Sequence, residues 1–220
     1  MGNIEKLSDE CVYEGSVFTL SKCRMRLADG SEAVWDFIKH RRCGAAAVPV
    51  LPDGRIILVE QTRPVLGRRA YEIPAGAREK AACGKPRPEA AGRAEIIAAA
   101  ARERRAAGFH FQNETGGGFE DTAGTAYREL LEETGHAALS LSFLLRSYSS
   151  PAYNTEFTDI YLAEVPFEAE GQKLDAGEDI TCAAFAREEI LQMIGSGEIV
   201  DSKTVAGLLA ALRRMERSGR

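Results

Sequence analysis

The chain has 220 residues, of which 45% are hydrophobic and 28% are charged, as in an ordinary soluble globular protein with a substantial core. Its net charge of −5 argues against a nucleic-acid backbone as the main partner. The longest apolar runs are far too short to span a bilayer, which argues against a membrane partner. We expect one large domain, or one domain with a small appendage.

The cysteines and the N-terminal sequence indicate in which cellular compartment the protein is expected. Five cysteines are scattered along the chain, with no Cys-x-x-Cys pair among them. This pattern favours reduced thiols and argues against a zinc site. The opening segment MGNIEKLSDE has no apolar stretch of the kind that a signal peptide contains. We therefore expect a cytoplasmic protein.

The N-terminal part of the chain is expected to form β-strands. Residues 11–40 alternate between apolar and polar side chains and contain a turn signal at Asp29-Gly30. The pattern repeats where a Pro-Asp-Gly turn at 52–54 separates an apolar strand from the β-branched segment RIILVEQ. The segment RRAYEIPAG, residues 68–76, is then predicted to be a short strand.

The segment 77–119 differs from its surroundings. It begins with polar, Gly- and Pro-containing sequence and continues as an alanine-rich helix candidate, RAEIIAAAARERRAA, which Gly108 would end. Three consecutive glycines at 116–118 follow. We interpret this segment as an insertion into the domain.

The rest of the chain combines strands and helices. A helix is predicted from about Thr122 to Thr134, with Gly135 as its stop signal. Strands return in LSFLLRSYSS, EFTDIYLAEV and ITCAAFA, and the chain ends with REEILQMIGSG and DSKTVAGLLAALRRME, both at helical apolar spacing. This order predicts a mixed sheet flanked by helices.

The predicted helix at 122–134 carries three acids on one face. Glu132 and Glu133 lie three and four residues after Glu129, so the carboxylates repel one another by a few tenths of a kcal/mol per pair. A divalent cation such as Mg²⁺ would offset this repulsion, because it prefers carboxylate oxygens and shares its shell with phosphates. The plainer alternative is a charged face in contact with solvent.

The segment RELLEETG, residues 128–135, resembles the core of the Nudix box, G-x5-E-x7-R-E-U-x-E-E-x-G-U. Glu120 lies eight residues before Arg128, as the box requires, whereas His136 stands where an apolar residue is usual. The box glycine corresponds to Gly76, so the 43 residues 77–119 replace the usual five. The insertion therefore interrupts the box itself.

Further segments resemble the ADP-ribose pyrophosphatases within this family. They are GRRAYEIPAG before the box, Pro151 fifteen residues after it, and GEIVDSKTVAGLLAAL near the C-terminus. The resemblance implies an α+β fold, an α/β/α sandwich with a mixed sheet between helices and a small N-terminal antiparallel sheet. It divides the chain into residues 1–42, a sheet through which relatives form homodimers, and a Nudix domain at 43–220 that contains the insertion.

The resemblance also implies a reaction and its metal ligands. Nudix enzymes hydrolyse a nucleoside diphosphate linked to another group, and cations are needed because the pyrophosphate repels a nucleophile. Glu129, Glu132, Glu133 and the carbonyl of Ala75 would hold Mg²⁺ or Mn²⁺, with Glu132 also counted among the catalytic residues. Arg128 would pair with Glu120 and fix the helix.

Other residues are assigned by the same resemblance. Glu178 is the favoured general base, with Asp175 and Asp179 as competitors in the same loop, LDAGEDI. Four residues before the box are candidates for binding the substrate: Arg63, Arg68, Arg69 and Glu72. Arginine forks match phosphate geometry, but each arginine could equally lie on a solvated strand edge.

The resemblance therefore predicts hydrolysis of ADP-ribose or a related ADP-sugar to AMP and a sugar phosphate. Two alternatives stay open: hydrolysis of another nucleoside diphosphate derivative, and a non-catalytic domain that senses a nucleotide. The intact charged residues of the box favour catalysis. The insertion could cover the active site as a lid, thicken a dimer contact, or do neither.

Overall fold

The structure is a computed structural model that describes residues 4–80, 91–109 and 118–219. Its contacts divide the chain into two compact units. The first unit contains residues 1–43 with 148–157, and the second contains residues 44–147 with 158–220.

The first unit is built on a three-stranded antiparallel sheet of β1 (Glu5–Glu14), β2 (Phe18–Arg26) and β3 (Glu32–His40). The predicted turn lies between β2 and β3, where Gly30 has a φ of 86° and Asp29 accepts a hydrogen bond from the Ser31 N–H. The first strand begins six residues before the predicted start. Its early residues are mostly charged and exposed, so they show no apolar alternation.

The second unit contains a mixed sheet of seven described strands in which β10-β5-β4-β9-β8 is the main order, β6 pairs with β5 and β7 pairs with β4. Strands β4 and β9 are parallel, whereas β4–β7 and β5–β10 are antiparallel. The strand bounds are β4 Gly44–Val50, β5 Ile56–Arg63, β6 Arg68–Glu72, β7 Ala75–Ala77, β8 Ser140–Tyr148, β9 Phe157–Glu164 and β10 Ile180–Phe185.

Four described α-helices accompany this sheet: α1 (Ala91–Ala106), α2 (Thr122–Thr134), α3 (Arg187–Ser196) and α4 (Ser202–Arg217). A single 3-10 turn, Pro64–Leu66, joins β5 to β6. None of the described helices is long and apolar enough to cross a membrane.

The sheet separates two apolar cores, because successive residues of a strand point to opposite faces. Ala45 and Ala47 of β4 pack with α1 and α2, whereas Ala46 and Val48 pack with α3 and α4. Helices thus cover both faces of the mixed sheet, as the predicted α/β/α sandwich requires.

The inserted segment contributes to the first of these cores. Helix α1 places Ala100 and Ala101 in it, almost fully buried, and an antiparallel bridge between Lys80 and Phe119 brings the two ends of the segment together. The helix ends at Ala106, and Gly108 follows with a φ of 83°, as its sequence predicts. The residues of the predicted insertion at 81–90 and 110–117 lie outside the described part of the chain.

Candidate active site

Helix α2 has well-defined ends that match the prediction. Its N-cap is Asp121, whose side chain accepts a hydrogen bond from the Ala123 N–H. Its C-cap is Gly135, which has a φ of 74° and donates its N–H to the Leu131 carbonyl. Leu130 is fully buried in the core beneath the helix. Both ends and the buried face therefore fix where the acidic residues lie.

The three predicted acids differ in exposure. The side chain of Glu129 is 14% exposed, Glu133 is 4% exposed, and the side chain of Glu132 is 38% exposed. The two most buried acids are four residues apart and lie on one face of α2. A fully solvated acidic face, the plainer alternative from the sequence, does not describe Glu129 and Glu133.

Strand β7 lies directly against these two acids. The Ala75 N–H donates a hydrogen bond to Glu133 Oε2 at 3.1 Å. A Cβ atom placed on Gly76 would lie 1.9 Å from Glu129 Oε1, so any residue larger than glycine would displace the carboxylate. This close approach explains why a glycine stands at the position that matches the box glycine, although the insertion separates it from α2 in sequence.

Burial and mutual repulsion make the two acids hard to ionise. Burial, and next the nearby charge of Glu129, raise the pKa of Glu133 to about 8, while the Ala75 N–H opposes the shift. Burial likewise raises the pKa of Glu129 to about 7, although the charge of Arg128 opposes it. The pair therefore lacks the positive charge that would stabilise both carboxylates in ionised form.

Arg128 connects several groups of the site by hydrogen bonds. Its Nη2 donates to Glu120 Oε1 at 2.8 Å, which forms the ion pair expected from the box. Its Nη1 donates to Glu129 Oε1 at 2.8 Å and to Glu132 Oε2 at 2.9 Å, and Nη2 also donates to the Ala77 carbonyl at 3.1 Å. Arg128 thus binds strand β7 and the acids of α2 at the same time.

The loop between β9 and β10 is hydrogen-bonded to the C-terminal end of α2. The Lys173 N–H donates to the Glu132 carbonyl at 2.8 Å, and Gln172 Nε2 donates to the Glu133 carbonyl at 2.6 Å. A Cβ atom on Gly135 would lie 2.8 Å from the backbone of Gly171. No motif in the sequence pointed to Gln172 or Lys173, because the contacts join segments that are distant in the chain.

This loop carries the three candidate bases, and the structure separates their surroundings. The charge of Glu178 contributes to the raised pKa of both Glu129 and Glu133, so its exposed carboxylate lies near them. Asp179 Oδ2 instead pairs with Arg69 Nη1 at 2.5 Å. The Asp175 N–H donates to Glu178 Oε2 at 2.9 Å, which orients that carboxylate.

Two of the four predicted substrate-binding residues pair with each other. Arg63 forms a bidentate pair with Glu72 at 2.6 and 2.7 Å, and Glu72, which is 3% exposed, also accepts from Lys203 Nζ at 2.8 Å. The negative charge of Glu133 also contributes to the raised pKa of Arg63. Lys203 is a residue that sequence reasoning missed, because it lies 131 positions from Glu72.

The other two arginines lie differently. Arg69 binds Glu60 and Asp179 rather than lying free, and Arg68 donates to the backbone carbonyls of Arg69 and Gly197 at 3.2 and 3.3 Å. The negative charge of the buried Glu133 contributes to the raised pKa of Arg63, which connects this arginine to the acidic site.

Among the described residues, no group of three or more His, Cys, Asp or Glu side chains is arranged to hold a metal ion. The donor chemistry nevertheless fits a hard divalent cation, because two buried carboxylates repel each other and carboxylate oxygens are the ligands that such ions prefer. Binding would require Glu129 and Glu132 to turn from the Nη1 of Arg128.

Comparisons with known proteins agree with this site, although no protein-family model matches the chain. Over 200 residues the chain is 29% identical to an ADP-ribose pyrophosphatase of Bacillus subtilis (strain 168), covering 90% of this chain and 86% of that protein. It is 27% identical over 201 residues to a methanol dehydrogenase activator of Bacillus methanolicus, covering 90% and 87%.

The fold is similar to the crystal structure of an ADP compounds hydrolase, with a TM-score of 0.73 and 17% identity over 99% of this chain and 97% of that one. This similarity confirms the predicted fold class, a mixed sheet between helices with a small antiparallel sheet. Together with the box residues, the comparisons support a Nudix hydrolase of the ADP-ribose pyrophosphatase type.

Proposed function

We propose that the protein hydrolyses the pyrophosphate bond of ADP-ribose or a related ADP-sugar, giving AMP and a sugar phosphate, with Mg²⁺ or Mn²⁺ as the cofactor. One observation carries the proposal. Glu129 and Glu133 are buried side by side against Ala75 and Gly76, and the charge of Glu178 contributes to the raised pKa of both. Such a pair needs an added cation, and the anionic pyrophosphate needs the same cation.

Glu129, Glu132, Glu133 and the carbonyl of Ala75 would hold the metal. When bound, the ion would act as a Lewis acid that neutralises the pyrophosphate charge. Arg128 stays paired with Glu120 at 2.8 Å and keeps α2 aligned with β7 through the Ala77 carbonyl.

Glu178 is the base in this proposal. It accepts the proton of the attacking water, because it is exposed, lies near the buried acids and is not paired with Arg69 as Asp179 is. Its loop is fixed to the end of α2 by the Lys173 N–H and the Gln172 side chain. These hydrogen bonds hold the loop that carries the base against the helix that carries the metal-binding acids.

Arg63 is the favoured phosphate-binding residue. Glu72 orients its guanidinium by a bidentate pair, and Lys203 supplies a second positive charge to the same carboxylate. Glu72 and Lys203 thereby keep the fork of Arg63 in place near Glu133. Arg63 is preferred to Arg68 and Arg69 because the charge of Glu133 contributes to its raised pKa.

The test is a substrate panel with the intact protein and Mg²⁺, in which release of the nucleoside monophosphate is measured: AMP from ADP-ribose, ADP-glucose and NAD⁺, and GMP from GDP-mannose. We expect ADP-ribose or another ADP-sugar to be hydrolysed with the highest kcat/KM. Preference for a compound outside the ADP-sugars would indicate hydrolysis of a different nucleoside diphosphate derivative. Tight binding of ADP-ribose without turnover would contradict the proposal and favour a nucleotide sensor.

We also propose that the protein is a cytoplasmic homodimer that associates through the β1–β3 sheet. Four apolar side chains of this sheet are at least 37% exposed: Val12, Tyr13, Val34 and Trp35. The described cysteines form no disulfide, which agrees with a reducing compartment. Light scattering of the wild type and of Val34→Glu tests the dimer, since a dimer that survives this substitution would not associate through the side of the sheet that carries Val34.

A further inference from the structure

The inserted helix α1 contributes a buried charge to the second unit. Arg104 is fully buried, and its Nη1 donates to the Phe109 carbonyl at 2.6 Å. Its Nη2 donates to Asp121 Oδ2 at 3.0 Å, and its Nε lies 3.8 Å from Asp159 Oδ2. A side chain of the insertion therefore contacts the residue that caps the acidic helix α2.

Asp159, on β9, is also fully buried and connects this pair to the sheet. Arg146 of β8 forms a bidentate pair with it at 2.7 and 3.0 Å. Thr122, the first residue of α2, donates its hydroxyl to Asp159 Oδ2 at 2.8 Å and lies 2.8 Å from the Tyr161 hydroxyl. The first turn of α2 is thus held by strands β8 and β9 as well as by α1.

The formal charges of this group, which we call the N-cap network, balance. Arg104 and Arg146 carry two positive charges, and Asp121 and Asp159 carry two negative charges. Burying a charge costs several kcal/mol unless a partner compensates it, so each member depends on the others. Removing Arg104 would leave Asp159 to Arg146, and Asp121 to the more exposed Arg105, whose Nη1 lies 3.9 Å from Asp121 Oδ2.

A second connection runs from the start of the insertion. Arg78 Nε donates to the Glu120 carbonyl at 2.7 Å, and the Glu79 N–H donates to Glu120 Oε1 at 3.2 Å. Glu120 in turn binds Arg128, whose Nη1 contacts Glu129. The insertion therefore meets α2 at two places, both at the N-terminal end of the helix.

We propose that Arg104 is a positioning residue: through Asp121 and Asp159 it sets the position of α2 against β7, and so places Glu129 and Glu133 for metal binding. This inference rests on the proposed function of those acids. Glu129 packs closely against Gly76, where an added Cβ would lie 1.9 Å from Glu129 Oε1, so a shift of α2 against β7 would change this contact. The insertion then serves as a built-in support of the catalytic helix.

The experiment measures Mn²⁺ binding by electron paramagnetic resonance, together with steady-state kinetics on ADP-ribose. Arg104→Met keeps the length of the side chain and removes its charge. We expect its Kd for Mn²⁺ to rise about 10-fold and kcat to fall with little change in KM, as for other residues that orient metal ligands. Arg102→Ala is the matched control, since Arg102 is exposed on the same helix, and both parameters should stay at the wild-type values.

Asp121→Asn covers the case in which Arg104→Met does not fold. Asparagine still caps a helix, but it lacks the charge that pairs with Arg104. We expect its Mn²⁺ affinity and kcat to fall in the same direction. A merely structural role would lower the melting temperature of either variant while the folded protein bound Mn²⁺ as tightly as the wild type, and that result would overturn the inference.

The outcome for the wild type separates this inference from the proposed function. Wild-type protein that binds Mn²⁺ but does not hydrolyse ADP-ribose contradicts the proposed function, while the Mn²⁺ affinities of the variants still decide the role of Arg104. Wild-type protein that hydrolyses ADP-ribose, with an Arg104→Met variant equal to it in both measurements, overturns the inference alone. Wild-type protein without Mn²⁺ affinity overturns both.

Discussion

The two ends of helix α2 lie beside buried or partly buried carboxylates that are neutralised in different ways. At its N-terminal end, Asp121 and the neighbouring Asp159 are matched by Arg104 and Arg146 within hydrogen-bonding distance. Two turns further on, Glu129 is partly matched by Arg128, and Glu133 accepts a hydrogen bond from the Ala75 backbone.

This difference indicates a difference in role. A cluster whose charges balance within the protein stabilises the fold once it is complete. A cluster with excess negative charge costs stability in the protein alone, and it is retained where a ligand supplies the missing charge. The close contact of Gly76 with Glu129 places that excess next to strand β7. The predictions below separate the two roles.

The largest effect is expected for the balanced cluster. Asp159→Asn leaves Arg146 and Arg104 without their shared carboxylate, so the free energy of unfolding should fall by about 3–5 kcal/mol. Urea denaturation measures the change. A loss below about 1 kcal/mol would mean that the N-cap network contributes little to stability.

The excess-charge cluster should behave in the opposite manner. Glu133→Gln should lower kcat/KM for ADP-ribose by about 10²-fold, because it removes a metal-binding oxygen and part of the transition-state stabilisation. The melting temperature in EDTA should stay the same or rise, since a buried charge is removed. Glu188→Gln, on the exposed first turn of α3, is the control. A large loss of stability in Glu133→Gln would contradict the comparison.

The pH dependence of stability follows from the same excess charge. The folded protein raises the pKa of Glu129 to about 7 and of Glu133 to about 8, so it binds more protons than the unfolded chain above the ordinary glutamate range. In EDTA, the stability from these groups is complete below about pH 4 and is lost as pH rises towards about pH 8. Thermal melts across this range measure it, and Glu133→Gln should flatten the curve.

The smallest effect is expected for an intermediate case, the carboxylate of Glu72, which two cations share. Lys203→Met leaves the bidentate pair with Arg63 in place, so the free energy of unfolding should fall by only about 1 kcal/mol. Chemical denaturation checks this value. A loss as large as that of Asp159→Asn would show that Arg63 alone does not compensate Glu72.

Several features of the site were accessible from the sequence because they depend on local spacing. The helix from Thr122 to Thr134, its glycine stop and the common face of Glu129 and Glu133 all follow from a period of 3.6 residues and from the conformational freedom of glycine. The pair of Arg128 with Glu120 follows from the box spacing and is present at 2.8 Å.

Other features could not be predicted because they join residues that are far apart in sequence. The sequence indicated an insertion but did not show that Arg104 and Ala100 of this segment are fully buried within the fold. An alanine-rich helix with several arginines has no strong apolar face, so its sequence does not show which residues are buried. The contact of Lys203 with Glu72 gave no local signal either.

The sequence by itself determined the charge pattern of α2, since helical periodicity and a glycine cap require only neighbouring residues. Tertiary structure alone decided which carboxylates pair with cations that the box does not include, such as Asp159 with Arg146 and Glu72 with Lys203. The bridge between Lys80 and Phe119 brings the two ends of the inserted segment together. Gly76 therefore contacts Glu129, although the insertion separates them in sequence. Burial and ion pairing depend on which distant segments pack together. They distinguish the charges that stabilise the fold from the carboxylates that need a bound cation.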